Sequence, residues 1–412
     1  MSCSGVGTVS FINPGYGAIR TTPNRIRFAT DTRGAKTVDV TTPDLTLPAH
    51  MLPADGRFGS GPSKVDPGAL HALAATGSTL MGTSHRQKTV RNLVGSVRAG
   101  FADLFSLPEG YEVLLGNGGA TLFWDAATFG LIGKRSQHLV FGEFSSKFAA
   151  AASAAPHLDE PEVISAETGS APRCVASPSV DAYCYPHNET STGVMVDVVR
   201  PDPSSSALVL VDATSAAGGL PIELSACDVY YFSPQKCFGA DAGVWFAAFS
   251  PAAIERVQQL RGRWTPASLD LGLALDNSRL DQTYNTPALA SMFLVDHTLK
   301  WMNNNGGLPF AVSRCEESAR RIYEWATASA VASPYVADPA LRSRTVATID
   351  FDESVSADAL AAGLRANGIV DTESYRKLGR NQLRIALFPR IDPDDISALV
   401  ACIDELVARL GG

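Results

Sequence analysis

Apolar residues recur along this chain in two rhythms. Between residues 66 and 107 the spacing is helical: Val90, Leu93, Val94, Val97 and Phe101 stand at i, i+3, i+4, i+7 and i+11, which places them on one face at 3.6 residues per turn. Residues 111–115, 138–141, 207–211, 229–232 and 244–249 form short, nearly continuous apolar runs instead, the pattern of strands covered on both faces. A glycine-rich turn at 116–121, a helix over 122–131 and an alanine-rich helix from 144 lie between them. Strands alternating with helices predict an α/β fold whose main sheet is largely parallel and sandwiched between helices.

The texture changes after residue 286. Helices are predicted over 287–302 and 309–330, then strand 345–351, helix 357–367, strand 383–388 and helix 393–410. Asp392 suits the N-cap of the last helix and Pro393 its first position. This predicts a large domain over 51–290 and a smaller α+β domain over 291–412, with residues 51–75 left open to pack with the small one. Residues 1–50 are interrupted by Pro14, Pro23, Pro43 and Pro48 and carry Arg20, Arg25, Arg27 and Arg33. They are expected to be a disordered extension. Pro14 and Gly15 break the only apolar stretch that resembles a signal peptide.

Composition narrows the choices. A chain of 412 residues, 45% hydrophobic, is globular and too long for one core. The net charge of −8 argues against a nucleic-acid partner but leaves room for a local basic pocket. The seven cysteines are scattered, with no C-x-x-C and no zinc-like spacing to histidine. That pattern predicts no metal site and suits a reducing cytoplasm. No apolar run approaches the roughly 18 residues that cross a bilayer, so no membrane partner is expected.

Three polar groups stand at predicted strand ends, where open α/β sheets bind ligands. Gly116-Asn-Gly-Gly-Ala-Thr121 can bring backbone N–H groups and a helix N-terminus to a phosphate, though a tight structural turn reads equally well. It fails as a dinucleotide fingerprint because Thr121 holds the third glycine's place, which counts against a nucleotide-binding or regulatory module. Asp212 ends the apolar run 207–211 and needs a partner such as a protonated ring nitrogen, or else caps the next turn. Lys236 follows the aromatic run Tyr230-Tyr-Phe232. Desolvation there would make its amine nucleophilic; a snorkelling surface lysine is the alternative.

Asp212-Ala-Thr-Ser, Phe232-Ser-Pro-Gln-Lys236-Cys-Phe-Gly and Asn285-Thr-Pro287 together resemble the class V, fold type I aminotransferases that depend on pyridoxal 5′-phosphate (PLP). Within that family the chain is similar to the phosphoserine aminotransferases in their actinobacterial form. Gly56-Arg-Phe-Gly-Ser-Gly-Pro-Ser-Lys64, Gly82-Thr-Ser-His-Arg86, His187-Asn-Glu-Thr190 and Tyr375-Arg-Lys-Leu-Gly-Arg380 add to the likeness, which covers about residues 50 to 412. The resemblance implies a seven-stranded sheet in the large domain and a homodimer with shared active sites. It implies that Lys236 is the Schiff-base lysine and Asp212 the partner of the ring nitrogen. Gln235 would contact the phosphate, Gly119, Ala120 and Thr121 would form the loop behind the cofactor, and Thr190 would lie near the ring's 3′-oxygen. Phe144 stands where many relatives stack a tryptophan. Asn285 and Thr286 would reach the phosphate of the neighbouring subunit's cofactor.

For the substrate, the resemblance implies phosphate recognition by His85 and Arg86 and α-carboxylate binding by Arg384. Arg376 and Arg380 are further candidates, and Arg57 a weaker one. Tyr375-Arg376 stands where many relatives have His-Arg, which puts a phosphate contact at Tyr375 in question. The expected activity is ping-pong transamination of 3-phosphohydroxypyruvate with glutamate to O-phosphoserine and 2-oxoglutarate. 4-Phosphohydroxythreonine is left open as a second substrate. Cysteine desulfuration is the alternative within the family, with Cys315 as its nucleophile.

Overall fold

A computed structural model describes residues 45–411. Nine strands precede residue 250: β1 (Glu112–Asn117), β2 (Ser136–Val140), β3 (Glu162–Ser165), β4 (Ala182–Pro186), the short pair β5 (Asn188–Glu189) and β6 (Val194–Met195), then β7 (Leu208–Asp212), β8 (Val229–Phe232) and β9 (Val244–Phe249). Seven of them form one sheet in the order β1-β9-β8-β7-β4-β2-β3. β9 runs antiparallel to both neighbours, and the pairs from β8 to β3 are parallel. The expected mainly parallel seven-stranded sheet is therefore present.

Both faces of its central strands are apolar. Val209, Val211, Tyr230, Phe232, Phe246 and Leu115 point into one core; Leu208, Leu210, Val229, Tyr231, Trp245 and Leu114 point into the other. This is the period-two alternation of a pleated strand, read on two buried faces. The predicted helical face is likewise present: Val90, Val94, Val97 and Phe101 are buried, and Leu93 packs beside them. The stretch 66–107 is nevertheless two helices, α1 (Pro67–Ala75) and α2 (Lys88–Leu104), with Asp66 capping the first and Pro67 at its start. Helices α3 (Ala120–Gly130), α4 (Glu143–Ala154), α5 (Pro251–Gln259), α6 (Leu271–Ser278), α7 (Leu289–Asn304) and α8 (Gly307–Ala328) follow along the chain.

The C-terminal part is a three-stranded antiparallel sheet of β10 (Ala332–Pro334), β11 (Val346–Phe351) and β12 (Gln382–Ala386), with α9 (Ala357–Ala366) and α10 (Pro393–Leu410). α10 starts as its sequence predicts: the Asp392 side chain accepts from the Asp394 N–H, with Pro393 in the first turn. Its core joins Ile349, Ile385, Leu360, Leu364, Leu399 and Ile403.

Packing redraws two expected boundaries. Met292, Val295, Leu299 and Met302 of α7, and Ala311 early in α8, belong to a core of the large sheet, whereas Ala319, Ile322 and Ala326 of α8 belong to the small one. The division by core thus falls within α8 rather than at 290. Residues 45–50, assigned above to a disordered extension, are packed: Leu47 is buried in the small core and its N–H donates to Asn367 Oδ1 at 2.8 Å. Residues 1–44 lie outside the described part. No described helix is long and apolar enough to cross a membrane.

Candidate active site

The carboxyl ends of β1, β4, β7 and β8 lie on one edge of the sheet, because β1 and β8 are each antiparallel to β9 and β8, β7 and β4 are parallel. A cavity of about 480 Å³ opens there, lined among others by Gly119, Ala120, Thr121, Phe144, Thr190, Asp212, Gln235 and Lys236. Those eight are the residues that the sequence assigned to cofactor binding within one chain, and the volume lies in the ordinary range for small-molecule sites.

Lys236 is 8% exposed, and its Nζ donates to the Ser60 carbonyl at 2.6 Å. Burial, and next the nearby positive charge of Arg384, bring its pKa down from 10.5 to about 8. It is thus a buried, uncharged-prone amine and not a snorkelling surface lysine. Gly61 lies against it with a φ of +141°; a Cβ there would fall on Nζ and Cε of Lys236. Only glycine fits this close approach. The segment carrying Ser60 and Gly61 is anchored to the small sheet, since Phe58 N–H donates to Val370 O and Ala386 N–H to Phe58 O. The small domain is therefore tied by backbone to the lysine's carbonyl partner.

Asp212 is also 8% exposed. Its Oδ2 accepts from Trp124 Nε1 at 3.0 Å, and its Oδ1 from the Thr214 N–H at 2.9 Å and the Thr214 hydroxyl at 2.6 Å. Burial raises its pKa against the pull of those donors. A carboxylate so desolvated is stabilised further by a cationic N–H in the cavity. Thr190 donates to Ser215 Oγ, as does the Asn188 amide, both at 2.8 Å, while Asn188 Oδ1 and Gln235 Oε1 are buried without a partner among the described residues. The first amides of α3, at Ala120 and Thr121, have no intrahelical acceptor and form an anion-binding end. Phe144 supplies an aromatic wall, with Lys236 Nζ 5.9 Å from its ring centroid. An amine, a buried carboxylate, a ring-sized slot and a helix N-terminus fit the chemical groups of PLP.

The basic candidates separate into distinct groups. Arg384, on β12, is half-buried and forms no ion pair among the described residues; its Nη1 donates to the Thr190 carbonyl at 3.4 Å and its Nε is unpartnered. Burial lowers its pKa. Arg380 does not join it: its guanidinium pairs with Asp350 and lies 4.5 Å over the Tyr335 ring. Its Nε and Nη2 are taken up by that carboxylate, which holds Arg380 apart from Arg384. Arg57 is likewise held by Asp55, at 2.6 and 2.9 Å. Arg376 is exposed in a short 3-10 turn (Arg376–Leu378). His85, Arg86, Asn285 and Thr286 do not line the cavity; Arg86, Asn285 and Thr286 are exposed, and the Thr286 hydroxyl meets His85 Nδ1 at 3.4 Å.

Two residues were missed from sequence. Trp124 supplies the indole N–H on Asp212 from α3; its place one turn after Ala120 on the loop's own helix was the available signal. Glu189, inside the quoted motif His187-Asn-Glu-Thr190, is completely buried and accepts from the Phe144 N–H at 3.3 Å, the Ser145 N–H at 2.8 Å, the Ser145 hydroxyl at 2.9 Å and the Ser191 hydroxyl at 2.7 Å. It caps α4 and fixes the backbone of Phe144. Cys315 is wholly buried within α8 and burial pushes its thiol well above the ordinary range, which is unlike a mobile nucleophile.

The aminotransferase class-V family profile matches residues 74–372, most of the chain. The chain belongs to the class V aminotransferases. It is thus a PLP-dependent aminotransferase. The chain is 59% identical over 367 residues to the phosphoserine aminotransferase of Rhodococcus jostii, covering 89% of this chain and 98% of that one. It is 61% identical over 370 residues to that of a Nocardioides species, covering 89% and 99%. Among solved structures, the phosphoserine aminotransferase of Cytophaga hutchinsonii aligns with a TM-score of 0.78 at 26% identity, covering 85% of this chain and 99% of that one.

Proposed function

We propose that this aminotransferase exchanges the amino group of glutamate with 3-phosphohydroxypyruvate, giving O-phosphoserine and 2-oxoglutarate in alternating half-reactions. The observation that carries the reading is the buried Lys236–Asp212 pair of groups beside an arginine, Arg384, whose donors no carboxylate among the described residues occupies. The near-60% identity to enzymes of that name supports the substrate.

When bound, PLP supplies an aldehyde for an amine and a ring that withdraws electrons from the substrate's Cα. Lys236 would hold it covalently, Asp212 would keep a proton on the ring nitrogen, and Phe144 would cover the ring. Gln235 and the amides at Gly119, Ala120 and Thr121 would hold the phosphate. Lys236 Nζ, as a neutral amine, takes the proton from Cα. Arg384 binds the α-carboxylate through its planar fork. His85, Arg86 and Arg376 bind the distal oxyanion, phosphate in one half-reaction and γ-carboxylate in the other. Asn285 and Thr286 complete the phosphate site of a second copy, so the working unit is a homodimer. The six described cysteines are free, which suits a reducing cytoplasm. Action on 4-phosphohydroxythreonine extends the same recognition to a substrate with one added CHOH group between Cα and the phosphate-bearing carbon.

A half-reaction screen tests this. The PLP-loaded enzyme is mixed separately with glutamate, O-phosphoserine, alanine and cysteine, and bleaching of the cofactor's visible band is followed. Glutamate and O-phosphoserine should bleach it fast and alanine slowly. Alanine as fast as O-phosphoserine overturns the substrate; sulfide release from cysteine favours desulfuration; a protein that takes up no PLP overturns the cofactor.

A further inference from the structure

Arg384 is half-buried, yet few contacts fix its guanidinium. Its backbone N–H is tied to the Thr372 carbonyl on β12's neighbouring segment. Its guanidinium, however, makes one long hydrogen bond, at 3.4 Å, and no ion pair among the described residues. A long side chain with free donors samples many rotamers, and ordering it on binding costs affinity. One feature restrains it: the guanidinium carbon lies 5.2 Å from the centroid of the Tyr375 ring.

Tyr375 is itself well held. Its ring is 6.1 Å from that of Phe144, tilted by 54°. Two residues on, Lys377 pairs with Glu143, the residue before Phe144. The Tyr375 carbonyl accepts from the Leu378 N–H at 2.8 Å. The loop is thus pinned to the start of α4, and the tyrosine ring stands between the cofactor's aromatic wall and Arg384.

Stacking on a ring engages the flat face of a guanidinium and leaves its in-plane N–H donors free. A carboxylate partner, as Asp350 is for Arg380, would occupy those donors. We propose that Tyr375 is a positioning residue that sets the plane of Arg384 for the substrate's α-carboxylate, and that it does not recognise the phosphate. This rests on Arg384 being the α-carboxylate ligand proposed above. Every amino-acid substrate has an α-carboxylate, so loss of Tyr375 should weaken all of them alike.

The test is steady-state and half-reaction kinetics of the PLP-loaded enzyme with Tyr375→Ala and Tyr375→Phe, using glutamate and O-phosphoserine. Tyr375→Ala should raise KM for both substrates by the same factor, about tenfold for a partly desolvated stack, with kcat little changed. The affinity of the apoenzyme for PLP should stay as in the unmodified chain, and Tyr375→Phe, which keeps the ring, should restore both KM values. A rise confined to O-phosphoserine would show a phosphate contact and overturn the proposal. So would unchanged KM values, or failure of phenylalanine to restore them. If O-phosphoserine is not a substrate at all, the substrate reading fails while the glutamate arm still decides the role of Tyr375.

Discussion

The Lys236 cavity and the surface around His85 and Thr286 are both drawn from motifs of one family, yet they are built in opposite ways. In the cavity, Asp212, Thr190 and Lys236 are each at most 8% exposed, and each has hydrogen-bond partners inside the chain. At the surface, Arg86, Asn285 and Thr286 are exposed, and the His85–Thr286 contact is long. Leaving a buried polar group unpaired costs about 1–3 kcal/mol, so most are paired at folding. Exposed ones have water and can wait. The residues lining the cavity are therefore preorganised by one chain, whereas on the proposed dimer reading the exposed residues act only after assembly.

Mixed dimers could break that comparison most decisively. Lys236→Ala alone should lower turnover by roughly a thousandfold or more, since it removes the base that moves the Cα proton. A double variant, Asn285→Ala with Thr286→Ala, should fail in PLP retention. Co-expressing the two chains places both defects in one composite site and neither in the other, so activity should return if Asn285 and Thr286 serve the partner's site. Assayed mixed dimers that stay inactive would mean that these residues serve their own chain.

A smaller effect is expected at Glu189. Glu189→Gln swaps an acceptor oxygen for a donor facing the α4 amides and the serine hydroxyls. It should lower folding stability by about 1.5–3 kcal/mol, the scale of hydrogen bonds to a buried charged group, measured by urea unfolding. PLP should also be lost faster on dialysis, because the backbone of Phe144 loosens with it. Destabilisation with PLP retention unchanged would reduce Glu189 to a helix cap.

The mildest effect sharpens the contrast in electrostatics. On the proposed reading the neutral amine of Lys236 is the nucleophile, and its pKa is brought down to about 8 by burial and by Arg384. Capture of PLP by the apoenzyme, followed by absorbance, should therefore rise with pH with a midpoint near pH 8, and not near 10.5. Arg384→Gln removes a cation that disfavours the ammonium, so the midpoint should move upward. The linkage has a definite sign: above pH 8 the unfolded chain binds this proton and the folded one does not, so this group's contribution to apoenzyme stability grows as pH rises toward the unfolded pKa. A midpoint unmoved by Arg384→Gln would mean that burial alone sets the shift.

Strands whose residues are apolar on both faces were legible in sequence, as β7, β8 and β9 show, because continuous Val, Leu, Phe and Tyr runs leave little else for the backbone to do. β4, Ala182–Pro186, was not, although it lies mid-sheet: its Ala-Tyr-Cys-Tyr-Pro composition announces burial weakly. The helix over 287–302 was visible by its period, but its allegiance was not. Periodicity reports that a face is buried and is silent about which core buries it, so the division between cores moved into α8.

The sequence by itself determined the chemistry available: a lysine after an aromatic strand, an aspartate at a strand end, a glycine loop before a helix, and arginines near the C-terminus. These follow from local composition and from the family's motif order. Only the tertiary structure decided which of them act together. It brought Trp124 to Asp212 across 88 positions, paired Arg380 with Asp350 and left Arg384 over Tyr375 with no ion pair among the described residues. Charges and donors are read from sequence one at a time, but whether a donor is already used depends on what lies within about 3 Å of it, and that distance is set by how the sheets and helices pack.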